Sequence, residues 1–184
     1  MVEDDPSPRP LIFRAAARNE VSWKNGGGLT SEIAAYPPGS SIDNFGWRIS
    51  TALVTAPGPF SVFEGIDRSL TVLEGKLALQ FAEDNHEVIL EPCQSHNFAG
   101  DVAVTGVPLG GPVRDLNVMV RRGEWQAEVT THCPHLSGDG TLIAIATQPA
   151  KGLATLDAAR LVNGMQLPAG FVGFFVCLQP ATEP

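Results

Sequence analysis

The sequence predicts an all-β protein built from two small jelly-roll-like halves, and three observations lead to this fold class. The 184 residues include 19 glycines and 15 prolines, about 18% of the chain against a usual ~12%, which favours short strands and turns over long helices. Alternating segments recur at roughly 8–12-residue intervals, the spacing of a sandwich or barrel. A similar turn pattern occurs near residues 73–75 and again near 162–164, which indicates a repeated module.

Alternation and turn residues predict the strands of the first half. The segment WRISTAL places Arg48 and Ser50 on one face of a strand, and Trp47, Ile49 and Thr51 on the other. Further strands are predicted over residues 69–73, 76–81 and 87–90. With 43% hydrophobic residues and a mean hydropathy of +0.06, the chain has enough apolar material for a core, which excludes global disorder.

The second half continues in the same way. The segment RDLNVMVR alternates, with Leu116, Val118 and Val120 on one face and the polar Asp115 and Asn117 on the other. Strands are also predicted over residues 125–130 and 141–146. Residues 151–162 fit a short helix or a strand, and the strand is preferred because Asn163–Gly164 is a strong hairpin signal.

The repeat divides the chain into approximate halves at 11–107 and 113–180, joined by the PLGGP segment at 108–112. Each half has fewer than about 100 residues and too little core of its own, so we expect them to share an interface. Residues 1–184 are therefore predicted to fold as a single compact unit.

Charge and composition exclude several partner classes. The 12 basic and 20 acidic residues give a net charge of −8 without basic clusters, so we expect neither nucleic acid nor a membrane as a partner. Residues 1–10 lack the basic start and apolar core of a signal peptide, and the apolar run 171–178 is too short to span a bilayer. Three widely spaced cysteines without a CxxC pair are typical of reduced thiols, and we expect a cytoplasmic protein.

The most distinctive segment is WKNGGGLTSEI at residues 23–33. Its lysine precedes the glycines, whereas a phosphate-binding P-loop needs GxxxxGK[ST], so nucleotide binding is poorly supported. Two interpretations stay open. The glycines form a flexible loop or bulge before a strand, or they let the backbone carrying Lys24 and Asn25 pass close to a ligand.

Arginines and histidines offer further candidate sites. Arg48 and Arg68 suit bidentate recognition of a carboxylate, and the alternative is internal pairing, of Arg68 with Asp67 or Glu74. Asp115 and Asn117 either line a cavity or face water. The HCPH segment at 132–135 lacks a second ligand pair, so metal binding there is poorly supported.

Five blocks of the chain together resemble the HutD/Ves family. They are WKNGGGLTSEI, WRIS, PFSVFEGIDRSLTVLEG, HNFAGDVAV and GPVRDLNVMVRR, in order over roughly residues 10–125. The resemblance implies a bicupin of two small β-barrel halves. It also implies a regulatory or accessory role in histidine utilisation without established catalytic activity, and a small carboxylate ligand such as urocanate or N-formylglutamate.

The resemblance also implies a set of pocket residues. The expected ligand-binding residues are Lys24, Asn25, Gly27, Gly28, Thr30, Glu32, Arg48, Ser50, Arg68, Asp115 and Asn117. Metal-using cupins carry an HxH pair that is missing here, with His96 as a vestigial ligand at most, so neither a metal nor another cofactor is expected. A homodimer is left open. The alternative function is a metal-free enzyme acting on a small amide, formyl or sugar substrate, with Glu32, Asp115 or His96 as acid or base.

Overall fold

The structure, a computed structural model, describes residues 10–134, 139–162, 165 and 167–181. These residues form fifteen β-strands and one short 3₁₀ turn at Ala15–Ala17. The first eight strands are β1 (Leu11–Phe13), β2 (Glu20–Ser22), β3 (Gly28–Tyr36), β4 (Trp47–Val54), β5 (Gly58–Pro59), β6 (Ile66–Glu74), β7 (Leu77–Phe81) and β8 (Glu87–Leu90). The others are β9 (Ser95–Ala99), β10 (Val104–Pro108), β11 (Val113–Arg121), β12 (Trp125–Thr130), β13 (Thr141–Ala146), β14 (Ala158–Leu161) and β15 (Gly173–Pro180).

The described strands form three antiparallel sheets. A six-stranded sheet has the order β2-β3-β4-β11-β6-β9, a five-stranded sheet the order β1-β14-β13-β15-β12, and a four-stranded sheet the order β5-β10-β7-β8. The six-stranded sheet lies between the other two, since side chains from its two faces belong to separate cores. It is the layer that positions the candidate site.

One face of the six-stranded sheet packs on the five-stranded sheet. Alternate residues of β11, which are Leu116, Val118 and Val120, meet Ile143 and Val176 in this core. All five are buried. Full burial of an aliphatic side chain of this size stabilises a fold by about 1.5–3 kcal/mol, so this interface anchors the two sheets to each other.

The opposite face of the six-stranded sheet is apolar at one end and polar at the other. At one end, Val54, Val72 and Val113 pack against Leu77 and Leu79 of the four-stranded sheet. Further along the same faces, polar residues follow, with Ser50 and Arg48 on β4 and Asp115 and Asn117 on β11. The four-stranded sheet thus covers the apolar end, and the polar end faces a cavity.

The all-β fold class predicted from the sequence is confirmed, with the sheets packed as open layers of a sandwich and not closed into barrels. Three predicted strands, 87–90, 125–130 and 141–146, have the predicted bounds. The preferred strand within 151–162 is present as β14, although only from Ala158 onward, because residues 151–157 form turns and one isolated bridge. The predicted Asn163–Gly164 hairpin lies outside the described residues.

The two expected halves exchange strands. β1, from the first half, pairs with β14 of the five-stranded sheet. β11, from the second half, lies between β4 and β6 of the six-stranded sheet. The two halves therefore share sheets as well as an interface.

In the part of the chain that the structure describes, no helix has the length and apolar character needed to cross a membrane.

Candidate functional site

A cavity of about 1060 Å³ lies over the polar part of the six-stranded sheet. The segment between β1 and β3 and the residues 59–63 provide its other walls. Nine of the eleven residues predicted from the sequence line it, namely Lys24, Asn25, Thr30, Glu32, Arg48, Ser50, Arg68, Asp115 and Asn117. Gly27 and Gly28, the remaining two, do not line the cavity. The structure therefore brings most of the predicted residues together, while their role in binding stays a prediction.

Strand register explains how residues far apart in sequence meet here. Directly paired residues of antiparallel strands present their side chains on the same face of the sheet. Met119 pairs with Arg48 on one side and with Arg68 on the other. One row of the sheet therefore carries both predicted arginines.

The next two rows carry the remaining polar groups of the cavity floor. Asn117 pairs with Ser50 on β4 and Leu70 on β6. Asp115 pairs with Ala52 on β4, one further row along. The floor thus runs from two guanidinium groups, through an amide, to a carboxyl group.

Arg68 is 6% exposed and is enclosed by aromatic rings. Its guanidinium carbon lies 5.4 Å from the ring centre of Phe60, 5.7 Å from that of Phe63 and 5.0 Å from that of Phe98. Such contacts favour a cation by about 0.5–2 kcal/mol each. Nη1 of Arg68 donates to the Ser61 carbonyl at 3.3 Å, whereas Nε has no hydrogen-bond partner among the described residues.

The two carboxylates that were the alternative partners of Arg68 form ion pairs with other arginines. Asp67 pairs with Arg122 at 2.7 Å, and Glu74 lies 3.9 Å from Arg114. Burial lowers the pKa of Arg68 to about 10, partly offset by the charge of Asp115 and reinforced by that of Arg48. Arg68 is therefore still a cation at neutral pH, and among the described residues it has no carboxylate within salt-bridge distance.

Arg48 differs from Arg68 because it has a carboxylate partner. Its Nε donates to Oε2 of Glu32 at 2.8 Å, and its Nη1 lies 3.4 Å from the Ser50 hydroxyl. The Glu32 side chain is 47% exposed, so the pair lies at the solvent side of the cavity. The charge of Arg48 is partly neutralised, and that of Arg68 is not.

Asp115 and Asn117 add unpartnered acceptors to the cavity floor. Asp115 is 2% exposed, and Oδ1 of each residue has no hydrogen-bond partner among the described residues. Burial raises the pKa of Asp115 to about 7, against the opposing effects of the Arg68 charge and a hydrogen bond from the Ala52 backbone. Buried polar groups are nearly always hydrogen-bonded, so these two oxygens are available to accept hydrogen bonds from whatever occupies the cavity.

The glycine segment has a mainly structural explanation. Oδ1 of Asn25 accepts a hydrogen bond from the Gly27 backbone at 3.0 Å, which closes a tight turn. A Cβ on Gly28 would lie 2.7 Å from the Leu53 carbonyl oxygen and 3.0 Å from the Trp23 ring. Gly28 therefore permits close packing at the start of β3, and Trp23 in turn donates to Thr30 Oγ1 at 2.7 Å.

Sequence reasoning missed several cavity residues. Phe60, Phe63 and Met119 line the cavity, and so does Arg18, whose Nη2 donates to the carbonyls of Phe13 and Leu156. The signal for the phenylalanines was available, since PFSVF precedes Arg68 by only a few residues. Arg18 carried no signal, because one of its two partners, Leu156, lies 138 residues away in the sequence.

The three described histidines, His86, His96 and His132, do not line this cavity. His96 pairs with Leu70 at the edge of the sheet and packs against Phe81 and Phe98. Desolvation, followed by the nearby His86, lowers the pKa of His96. Among the described residues, no three His, Cys, Asp or Glu side chains are grouped so that they could hold a metal ion. His135 lies outside those residues, and metal independence stays a prediction.

Comparison with known proteins gives three kinds of match. The family model described as HutD matches residues 15–166. An uncharacterised 21.2 kDa protein in the hutC 3′ region of Pseudomonas putida is 35% identical over 118 residues, 64% of this chain and 62% of that protein. Protein Ves of Citrobacter koseri is 37% identical over 108 residues, 58% of this chain and 56% of Ves. The matches thus span about three fifths of the length of these relatives.

Two solved structures are similar over almost the whole chain. A conserved protein of unknown function from Pseudomonas aeruginosa PAO1 has a TM-score of 0.76 at 29% identity, covering 95% of this chain and 100% of that one. HutD from Pseudomonas fluorescens SBW25, in a formate condition, has a TM-score of 0.75 at 26% identity, covering 96% and 100%. The arrangement of the sheets is therefore shared with both.

Proposed function

This chain belongs to the HutD family, and we propose that it is a non-catalytic, metal-independent protein that binds a small carboxylate in the cavity over the six-stranded sheet. Family membership and a relative encoded in a hutC region support an accessory role in histidine utilisation. Urocanate and N-formylglutamate are the candidate ligands, since both are small carboxylates of histidine breakdown. Binding of one of them would let the protein sense or buffer that intermediate.

The observation that carries this proposal is the state of Arg68. Its guanidinium is buried, charged and, among the described residues, without a carboxylate partner. Burying an unpaired charge costs several kcal/mol, and such a charge persists where a bound anion offsets the cost. A guanidinium also matches the geometry of a carboxylate, because its N–H groups donate two parallel hydrogen bonds.

The cavity suits a ligand of this size and kind. Its volume of about 1060 Å³ lies near the upper end of the usual ~300–1,000 Å³ for small-molecule sites, so a compact ligand fits together with water. Trp23, Phe60 and Phe63 supply apolar walls. A flat or slender carboxylate between aromatic walls and a cationic floor is the best match.

Calorimetric titration with urocanate and with N-formylglutamate tests the proposal. We expect saturable binding of at least one of them, weakened at least about tenfold in Arg68→Ala and in Arg48→Ala, because each change removes a charge-assisted hydrogen bond. Treatment with a chelator is expected to leave the affinity unchanged. Circular dichroism melts establish that each variant is folded.

Lys76→Ala provides the matched control. Lys76 also forms an ion pair, with Glu91 at 2.9 Å, but both side chains are exposed and neither lines the cavity. This variant should bind like the unmodified protein. Unchanged affinity in both folded arginine variants would remove the assignment of the pocket, and failure of both ligands to bind would remove the proposed ligands.

Asp115 gives a specific reason to test a second candidate function, that of a metal-free enzyme. A carboxyl group with a pKa of about 7 inside a cavity is well suited to general acid–base catalysis near neutral pH. Incubation of either ligand with the pure protein, followed by absorbance and NMR, separates the two functions. Formation of product supports the enzyme, and saturable shifts without product support the binding protein.

A further inference from the structure

The cavity floor holds acceptors as well as donors, and a simple carboxylate satisfies only the donors. Nε of Arg68 is a free donor for an anion. The Oδ1 atoms of Asp115 and Asn117 are free acceptors, and neither has a hydrogen-bond partner among the described residues. A carboxylate placed against these two oxygens would face like charge or lone pairs and would leave them unsatisfied.

The donor and the acceptors are separated along the sheet. Arg68 lies in the same row as Met119, whereas Asn117 and Asp115 lie two and four residues further along β11. At about 3.4 Å per residue, the backbone of Asn117 is ~7 Å and that of Asp115 ~14 Å from the arginine row.

We propose that the cavity recognises both ends of its ligand, with Arg68 and Arg48 binding the carboxylate and Asn117 and Asp115 accepting hydrogen bonds from an N–H donor at the other end. This inference rests on the proposed function and narrows its ligand class to small carboxylates that also carry an imidazole or amide N–H. Asn117 and Asp115 are then the residues that determine specificity, and the arginines supply the general affinity for anions.

The physical basis of this selectivity is the cost of unsatisfied acceptors. A ligand without an N–H displaces water from Asn117 and Asp115 and gives no hydrogen bond in return. Sites that hydrogen-bond a particular ligand group reject close analogues that lack it far more strongly than apolar pockets reject a missing methylene. We therefore expect discrimination of at least about tenfold per lost donor.

The test compares ligands with and without the N–H donor. Urocanate and 3-(2-furyl)acrylate share the acrylate and a five-membered ring, but the furan has an oxygen and a carbon in place of the two imidazole nitrogens and therefore carries no N–H. N-formylglutamate is compared with its ester analogue, in which oxygen replaces the amide N–H. Titrations at about pH 8 keep the imidazole neutral, since its usual pKa is about 6.5. The unmodified protein should bind the donor-bearing member of a pair at least about tenfold more tightly.

Two variants test whether Asn117 is responsible for the preference for donor-bearing ligands. Asn117→Leu should clearly reduce the preference within a pair, because it replaces one of the two acceptors with an apolar side chain of similar size. Asn97→Leu is the matched control: it makes the same change on β9, at an exposed residue that does not line the cavity, and the preference should persist. The ligand comparison on the unmodified protein needs no variant, so the proposal remains testable if Asn117→Leu does not fold.

The outcomes separate this inference from the proposed function. Equal affinity for both members of every pair that binds overturns the role of Asn117 and Asp115 but leaves carboxylate binding intact. A preference that is unchanged in folded Asn117→Leu assigns the selectivity elsewhere and also overturns the inference. Absence of binding by all four compounds overturns the proposed ligands and this inference together.

Discussion

Two buried ionisable side chains, Arg68 and Asp115, set the electrostatic character of the cavity. Burial shifts the pKa of both toward their neutral forms, to about 10 for Arg68 and about 7 for Asp115. At neutral pH the arginine remains charged while the carboxyl group is divided between its two forms. With Arg48 paired to Glu32, the floor carries a local positive charge inside a molecule whose net charge is −8. The charge of the cavity floor is therefore opposite in sign to the net charge of the molecule.

The raised pKa of Asp115 predicts that the stability of the folded protein depends on pH. The folded state holds a proton on Asp115 up to about pH 7, whereas the unfolded chain releases it near the usual value of 3.8. Ionisation therefore penalises the folded state increasingly between about pH 4 and pH 7, and the penalty is fully present above pH 7. Asp115→Asn, which cannot ionise, should gain stability relative to the unmodified protein across this window, by up to about 4 kcal/mol.

Urea unfolding of the ligand-free protein at several pH values measures this difference. Asp101→Asn is the control, and its stability relative to the unmodified protein should change with pH in the opposite direction. Hydrogen bonds from the Gly65 backbone and Arg122 lower the pKa of Asp101, so that carboxylate stabilises the folded state above about pH 4 and its contribution is lost as pH falls. A stability difference between Asp115→Asn and the unmodified protein that does not change with pH would contradict the assignment.

Single residues show what the sequence can and cannot predict about the site. Alternation alone placed Asp115 and Asn117 on one face of β11, and Arg48 and Ser50 on one face of β4, and the structure agrees. Alternation could not predict the surroundings of Arg68, because they depend on which strands become neighbours. Phe98, for example, reaches the guanidinium through the register of β9 with β6.

Among the elements, strands marked by alternation or by bounding turns were predicted well, whereas a longer apolar run without either signal was not. β13 was found because turns bound its short apolar run. β15 is a continuous apolar run in which five consecutive residues are buried, so it offers no alternation to recognise. β3 was obscured by its own first residues, since the glycines that permit close packing at its start resemble a loop.

The edge strand β1 depends on one buried carboxylate for its position. Asp157 is 2% exposed and accepts hydrogen bonds from Arg14 and the Ala15 backbone, both at 2.7 Å, and from the Ala154 backbone at 3.0 Å. Asp157→Ala leaves two backbone N–H groups without their partner and should lower the free energy of unfolding by about 1–3 kcal/mol. Denaturant unfolding measures this loss.

Hydrogen exchange tests whether the effect is local to β1. In Asp157→Ala, the amides of residues 11–13 should exchange faster, whereas those of β11 should change only by the loss of global stability. Glu91→Ala is the control, because its ion pair with Lys76 is exposed and should contribute less than about 1 kcal/mol. Normal protection of β1 in Asp157→Ala would show that the strand pairing alone holds β1 in place.

At the scale of the whole molecule, the exchange of strands makes each half dependent on the other. β11 forms ladders on both of its edges, with β4 and with β6, and contributes alternate residues to two cores. Without it, β4 and β6 would each lose the hydrogen bonds of one edge. Conversely, β1 belongs to the first half and joins the five-stranded sheet, whose other strands come from the second half. We therefore expect the protein to unfold as a single cooperative structure, although the sequence predicts a repeated module.

Division of the chain at the PLGGP segment tests this interdependence. The fragments 1–110 and 111–184 should each lack native structure when alone, because the first loses the central strand of its sheet and the second loses β1 and the six-stranded layer that covers its core. Poorly dispersed amide signals in NMR spectra of each fragment are the expected result. An equimolar mixture should recover a dispersed spectrum, since the same contacts can form between chains. In the intact protein, calorimetry should show one transition whose van't Hoff and calorimetric enthalpies agree. A native-like spectrum from either fragment alone would mean that the repeat corresponds to two independent domains.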